Sequence, residues 1–145
     1  MADTFVTLDT TNFTNVAKNL RKVAPDLARE LGREIRKAGD LIAVEGRSNA
    51  SWSQHIPPNI KVQRRGIAVK IVIEPGDKPH EGEGAAYEGD GIASKPLRHP
   101  VGGNRNNWTS KNTKTRPMIG PAFLAQQDAA LNRIVTAIDR LIERL

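Results

Sequence analysis

Six basic side chains and one tryptophan stand between residues 95 and 116, and no carboxylate interrupts them. The cations are Lys95, Arg98, Arg105, Lys111, Lys114 and Arg116, and the aromatic residue is Trp108. Cations spaced among Asn, Gly and Thr can follow a phosphate backbone, and a tryptophan among them can stack on a base. Arginine and aromatic residues are also enriched at the centres of protein interfaces. The segment therefore predicts a contact surface, either for nucleic acid or for protein.

The charge around this segment is unevenly placed. The chain has 22 Lys and Arg against 16 Asp and Glu, a net charge of +6, so the rest of the chain is neutral. Immediately before the segment the sign reverses, and the acids there are Glu74, Asp77, Glu81, Glu83, Glu88 and Asp90. A basic arm can dock on the acidic surface of another protein, or on the acidic loop of an identical neighbour in a ring.

Two interpretations of the segment stay open. In one, it reaches a neighbouring polypeptide, with Trp108 as the anchor and its arginines paired with carboxylates. In the other, Trp108 covers its own core and the cations are merely solvated. Trp52, in an earlier loop, allows the same two interpretations. The candidate interface residues are Arg98, Arg105, Trp108, Lys111, Lys114, Arg116 and Trp52.

Residue types that support catalysis or metal binding lack the spacing that such sites need. His55, His80 and His99 lie in three different segments and do not form a His-x-x-x-His pair. The acids of residues 74–90 do not follow the alternating order of a calcium loop, and the glycines nearby lack the flanking strand and helix of a phosphate site. The chain has no cysteine, which excludes disulfides and thiolate catalysis. We therefore predict no enzymatic activity, no cofactor and no metal.

Length and composition favour a single small domain. A chain of 145 residues fits one domain of common size. Aromatic residues make up 4% of it, so the core must consist mainly of Leu, Ile, Val and Ala. The first residues lack the pattern of a signal peptide, and no stretch approaches the ~18 apolar residues of a membrane span. We therefore expect a soluble domain over residues 1–145 that is not exported and has no membrane partner.

Two helical stretches frame the chain. Apolar residues recur every three or four positions over 12–47, which predicts a long N-terminal helix, kinked or broken at Pro25. Gly32 and Gly39 within it would each cost about 1 kcal/mol relative to alanine if exposed, which predicts either close packing against that face or tolerated glycines at the surface. Over 121–145 a single apolar stripe predicts a C-terminal helix.

The middle of the chain predicts a small sheet followed by loops. Alternating apolar residues over 59–74 predict a β-hairpin that turns near Arg65 and Gly66, with the long helix as its cover. Residues 75–120 are rich in Gly and Pro and are expected to form extended loops. Short strands are expected at "AAYEG" and "TRPMIG", and part of this region is expected to order only against a partner. The predicted fold class is α+β.

The order of these features resembles one known family. A helix "LARELGREIRKAGDLIAVEGR" precedes the hairpin "NIKVQRRGIAVKIVIE", and then come "AAYEGD", "LRHPVGGNRNNW" and "RPMIGPAFLAQQDAALNRIVTAIDRLI". In this order they resemble the tail-completion (minor tail, neck) proteins of long-tailed bacteriophages. The chain departs from that pattern where "SNASWSQHIPPN" separates the helix from the first strand, and where the Tyr-Glu-Gly motif continues to Asp90.

The resemblance implies a structural virion protein that has no substrate. It implies a long helix on a small, mainly antiparallel sheet, and assembly as a homo-oligomeric ring, a hexamer, in the head-tail connector. Its implied neighbours are head-completion or stopper proteins on one side and tail terminator or tail tube proteins on the other. DNA would pass through the lumen unread, and the protein would be made in the host cytoplasm. From the residues, the alternative is a basic nucleic-acid-binding protein that uses residues 95–116, and a hydrolase ranks third.

Overall fold

The computed structural model describes residues 5–7, 11–65, 68–75, 83–97, 99–101, 104–109 and 113–145, and its fold class is α+β, as predicted. The helices are α1 (Thr11–Val23), α2 (Pro25–Asn49), α3 (Glu83–Glu88) and α4 (Ile119–Glu143), with a 3₁₀ turn at Pro57–Asn59. The strands are β1 (Phe5–Thr7), β2 (Ile60–Arg65), β3 (Ala68–Ile73), β4 (His99–Val101) and β5 (Asn104–Thr109).

The predicted break at Pro25 separates α1 from α2. The Ala24 N–H donates to the Leu20 carbonyl at 2.7 Å, and the Ala24 carbonyl accepts from the Ala28 N–H at 3.1 Å. Helical hydrogen bonds thus reach Ala24 from both sides, although its φ of −146° and ψ of 81° are not helical. Proline is tolerated at the first position of α2 because that position needs no N–H donor. The chain therefore changes direction at one residue.

The predicted hairpin forms two strands of a sheet with the order β1, β3, β2 among the described residues. β2 and β3 pair antiparallel up to Arg65 opposite Ala68, and the residues of the turn, including Gly66, lie outside the described residues. β1 pairs antiparallel with the other edge of β3, with Phe5 opposite Val72. The sequence did not predict β1, because three residues are too few to show an alternating pattern.

The core lies between the sheet and the two long helices. α2 covers the sheet as predicted, and α4 packs antiparallel along α2, since Met118 lies near Asn49 and Arg133 lies near Glu34. The largest fully buried side chains are Leu31, Ile35, Ile42, Ile60, Val69, Ile71, Met118 and Ile119. α2 therefore contributes two buried faces, one to the sheet and one to α4.

Gly39 sets how closely α2 approaches the sheet. A Cβ at this position would lie 2.5 Å from Val69 Cγ1, a separation that real Cβ atoms do not show. Val69 is fully buried and β-branched, so its side chain has little freedom to move. A Cβ on Gly32 would meet the end of the Arg64 side chain, which is long and exposed. The predicted close packing is therefore rigid at Gly39 and adjustable at Gly32.

The two short strands predicted between residues 75 and 120 are wrong. The first four residues of "AAYEG" lie in α3, and Gly89 follows the helix with a positive φ of +55° and a hydrogen bond from its N–H to the Ala85 carbonyl at 3.0 Å. Glycine accepts this left-handed conformation at a helix end, so the motif stops a helix instead of starting a loop. "TRPMIG" forms no strand, and its last two residues open α4 at Ile119.

A second hairpin occupies the region that was expected to be extended. β4 and β5 pair antiparallel, with His99 opposite Thr109, and a register irregularity follows at Pro100 and Val101. The sequence of β5, "NRNNWT", lacks the alternation of apolar and polar residues that predicts a strand. A prediction based on the pattern of hydrophobic residues therefore misses a polar strand such as β5.

Glu34 connects α2 to α4 through charge. Glu34 is 9% exposed. Its carboxylate accepts a hydrogen bond from Lys37 Nζ at 3.0 Å and lies 3.2 Å from Arg133 Nε. The hydrogen bond from Lys37, together with the charges of Lys37, Arg133 and Arg140, holds the pKa of Glu34 below its usual value, although burial opposes this. The ionised carboxylate is therefore favoured in the folded state.

Gly39→Ala and Gly32→Ala form a matched pair of substitutions on one helix. Alanine gains about 1 kcal/mol in helix propensity at either position. At Gly39 the added methyl group overpacks the interface with Val69, which costs about 1 to 3 kcal/mol, so we expect a net loss of up to about 2 kcal/mol. At Gly32 the Arg64 side chain can shift, so we expect no loss. Urea unfolding measures both, and equal stability of the two variants would contradict the proposed role of Gly39.

Glu34→Gln tests the charge contact between α2 and α4 as a function of pH. Because the folded-state pKa is lowered, the stabilisation by Glu34 is present above its unfolded-state pKa of about 4 and is lost as the pH falls through the folded-state value. We expect the variant to be less stable than the wild type by up to about 1 kcal/mol at pH 7. This difference should shrink below pH 4, as measured by urea unfolding at several pH values, and a difference that grows in acid would contradict it.

Candidate functional site

A stack of three side chains marks the place where the basic segment rejoins the core. Trp52 is half-buried, and its ring meets that of Tyr87 edge to face, with centroids 4.8 Å apart. The guanidinium carbon of Arg116 lies over the Trp52 ring, 4.1 Å from its centroid, where the aromatic face attracts a cation. The Arg116 N–H donates to the Tyr87 carbonyl at 2.9 Å. These contacts favour the interpretation in which Trp52 packs on its own subunit.

Glu88 ties α3 to the start of α4. The residue is 2% exposed, and its carboxylate accepts from the backbone N–H groups of Met118 at 2.5 Å, Ile119 at 3.0 Å and Gly120 at 2.8 Å. These amides have no acceptor within the helix, and negative charge is favourable at a helix N-terminus. The Met118 carbonyl in turn accepts from Asn49 Nδ2 at 3.0 Å. Glu88 thus caps α4 from a distant part of the chain.

The ends of the basic segment are hydrogen-bonded to the residues before it. Thr115 is buried, and its hydroxyl donates to the Ile92 carbonyl at 2.6 Å and accepts from the Lys95 N–H at 3.0 Å. The Leu97 N–H donates to the Thr113 carbonyl at 2.9 Å. The described ends of the segment therefore fold on their own subunit. The expectation that part of residues 75–120 orders only against a partner stays a prediction.

Four of the seven candidate interface residues have no described side chain. Arg98 and Lys111 lie outside the described residues. Arg105 and Trp108 lie in β5, where Trp108 pairs with Pro100 of β4, but their side chains are outside the description. Their contacts with a partner stay predictions.

The other described residues of the segment have distinct surroundings. Lys114 is exposed and forms an isolated bridge with Pro96 through the backbone. Lys95 pairs with Asp90, and this contact and the Ile92 N–H hold the pKa of Asp90 below its usual value. The structure therefore brings together Arg116 and Trp52 but leaves Lys114 apart from them.

The acidic residues before the segment are also engaged within the subunit where they are described. Glu74 lies 2.6 Å from Lys61 Nζ, and its hydrogen bond with Lys61 is the main reason that the pKa of Glu74 is lowered. Glu88 caps α4 and Asp90 pairs with Lys95. These contacts weaken the hypothesis that the acidic loop meets the basic segment of an identical neighbour.

The exposed face of α4 carries a second row of apolar side chains, where the sequence predicts a single stripe. Ala130, Ile134, Ala137 and Leu141 are buried, whereas the α4 outer stripe consists of Leu124, Leu131, Val135 and Ile142, which are 69%, 51%, 44% and 59% exposed. At 3.6 residues per turn, the four lie within an arc of about 40°, roughly 120° from the buried face. Their spacings of seven, four and seven residues were the available signal.

The described residues contain no cluster of side chains that could bind a metal ion. Within the described ranges, no group of three or more His, Asp or Glu side chains could hold a metal ion. His55 lies in the turn after α2 and His99 lies in β4, while His80 is outside the described residues. Two surfaces with distinctive side chains remain, the Trp52 stack and the α4 outer stripe.

Glu88→Ala is expected to destabilise the fold strongly. It removes the acceptor from three buried or partly buried N–H groups, and we expect a loss of about 2 to 4 kcal/mol. Glu88→Gln keeps one carbonyl acceptor, so it should recover part of the loss. Glu45→Ala is the control, since Glu45 is half-buried near α4 and contacts Gln126 at 3.4 Å. Urea unfolding that shows equal effects of Glu88→Ala and Glu45→Ala would refute the capping role.

The comparisons with known proteins add no relative to this picture. No protein-family model, curated protein or solved structure matches the chain. Among the helices of the described residues, none combines the length and the apolar character that crossing a membrane needs. We therefore argue function from the contact surfaces of the chain itself.

Proposed function

We propose that this chain is a tail-completion (neck) subunit of a long-tailed bacteriophage, a structural virion protein that joins the head to the tail. In this proposal it assembles as a hexameric ring between the head-completion or stopper proteins and the tail terminator or tail tube proteins. It has no substrate, and DNA passes through the lumen of the ring without being read.

The observation that carries the proposal is the α4 outer stripe. Leu124 and Ile142, at its two ends, are separated by about 27 Å along the helix at a rise of 1.5 Å per residue. An extended apolar surface of this kind is a mark of protein association, because isolated monomers rarely leave one exposed. A ring forms through head-to-tail contacts, so the stripe of each subunit would pack on a different surface of its neighbour. Burial of the stripe would remove this apolar surface from water.

The order of elements supports the family assignment. A long helix, a hairpin, the Tyr87-Glu88-Gly89 motif, a basic segment and a C-terminal helix follow one another in the chain. Glu88 of that motif caps α4, which gives the motif a structural reason to accompany the C-terminal helix. Trp108 and Arg105, in β5, are proposed to contact the adjoining subunit or ring.

The alternative function, nucleic-acid binding through residues 95–116, is weakened at two of the three cations of that segment whose side chains are described, whereas Lys114 is exposed. Lys95 is paired with Asp90, and Arg116 lies on the ring of Trp52. A nucleic acid would have to displace both contacts in order to use these charges.

The double variant Leu131→Glu with Val135→Glu tests the proposal. Two carboxylates in the middle of the stripe would have to be buried without partners, so we expect the oligomer to dissociate to a monomer of 15.9 kDa. Light scattering after size-exclusion chromatography measures the mass. In the phage that produces the protein, the same variant should give tailless or leaking particles.

Val23→Glu with Val44→Glu is the matched control. It places two carboxylates at exposed valines of α1 and α2, which are 77% and 61% exposed and lie outside the stripe. We expect this variant to assemble as the wild type does. A wild-type chain that stays monomeric at high concentration, together with normal particles from the stripe variant, would overturn the proposal.

A further inference from the structure

Five exposed cations on the first two helices have no ion-pair partner among the described residues. They are Lys18, Arg21 and Lys22 of α1 and Arg33 and Arg36 of α2, together named the α1–α2 cationic face. The neutral net charge of the chain outside residues 95–116 conceals this face, because a sum over the sequence ignores where charges are paired.

The carboxylates within this stretch are already used. Asp26 pairs with Arg29 on the same helix. Glu30 lies 2.6 Å from Arg144, the residue that follows α4, and Glu34 contacts Lys37 and Arg133. These carboxylates are therefore paired with cations of the C-terminal segment or of α2 itself, and they do not neutralise the five cations. Asp40 lies four residues after Arg36 on the same side of α2, so one carboxylate offsets part of the positive charge on the outer side of the helices.

Two of these cations, Arg33 and Arg36, lie on the outer side of α2. Leu31, Ile35 and Ala38 are buried, so the intervening Arg33 and Arg36 project from the opposite side of the helix. Residues three or four apart on a helix have Cβ atoms about 5 to 6 Å apart. Such a row can follow a nucleic-acid backbone, in which duplex DNA carries one charge per ~1.7 Å of its axis.

The composition of this face distinguishes a phosphate backbone from an acidic protein. Protein interfaces have an apolar centre surrounded by polar residues. Between Lys18 and Lys37 the exposed large apolar side chain is Val23, in contrast to the four residues of the α4 outer stripe. Three of the five cations lie on α1 and two on α2. The two on α2 are arginines, which can bind phosphate oxygens in a bidentate manner. The face therefore suits a polyphosphate better than a protein.

We infer that the α1–α2 cationic face binds the phosphate backbone of nucleic acid without reading its bases. Affinity would come from the release of counterions and would be independent of sequence. This inference goes beyond the proposed function and does not rest on it, since α4 carries the assembly surface and α1 and α2 carry the cations.

Arg33→Gln with Arg36→Gln tests the inference by fluorescence anisotropy on a labelled DNA duplex of mixed sequence over a series of salt concentrations. For the wild type we expect the logarithm of the binding constant to fall linearly with the logarithm of the salt concentration. Loss of two phosphate contacts should reduce the magnitude of the slope by about 1.8 and, relative to equal binding at 1 M salt, weaken binding about 60-fold at 0.1 M salt. Glutamine has nearly the helix propensity of arginine, and urea unfolding verifies that the variant folds.

Lys95→Gln with Lys114→Gln is the control, because it lowers the net charge by the same amount in the basic segment. We expect its slope to equal that of the wild type. The inference is wrong if the wild type does not bind the duplex at low salt, or if the control loses as much affinity as the Arg33 and Arg36 variant. It is also wrong if polyglutamate binds the wild type as tightly as DNA does, since the face would then be a site for acidic proteins.

Discussion

The arrangement of the C-terminal half depends on the contact between the Glu88 carboxylate and the start of α4. Both groups are buried, and each would be costly without the other: the helix would expose unpaired amides to an apolar environment, and the carboxylate would be desolvated without a donor. Their pairing meets both needs with residues that are 30 positions apart. Because it fixes where α4 begins, it also fixes which residues of α4 face α2 and which face solvent.

α2 distributes its surface among three neighbours. One face approaches the sheet closely at Gly39, a second face packs on α4 with Glu30 and Glu34 at its edge, and the third carries Arg33 and Arg36 toward solvent. The apolar contact surface on α4 and the charged surface on α1 and α2 thus occupy different helices. Such a separation lets one subunit associate with protein on one side and face a polyanion on another.

Local periodicity predicted much of the fold. The recurrence of apolar residues every three or four positions marked α1, α2 and α4, Pro25 marked their break, and alternation marked β2 and β3. β1 is too short and β5 too polar to show an alternating pattern, whereas the other failures depend on contacts that are distant in sequence. Glu88 of α3 bonds the start of α4, and nothing in the residues around Glu88 indicates that contact. The outer stripe of α4 became visible only once Ala130 and Ile134 were seen to be the buried face. Likewise, Arg33 and Arg36 differ from Arg29 only through the location of the acids.

The Arg116 N–H donates to the Tyr87 carbonyl at 2.9 Å, so the segment between these two residues begins and ends at the same place in the fold. The entropy of closing a loop rises slowly with its length, by about 0.6 kcal/mol for each doubling. Insertions or deletions within the β4 and β5 hairpin would therefore change the reach of this projection while the two anchor points stay in register. Evolution could thus adapt the projection to neighbours at different distances without altering the rest of the subunit.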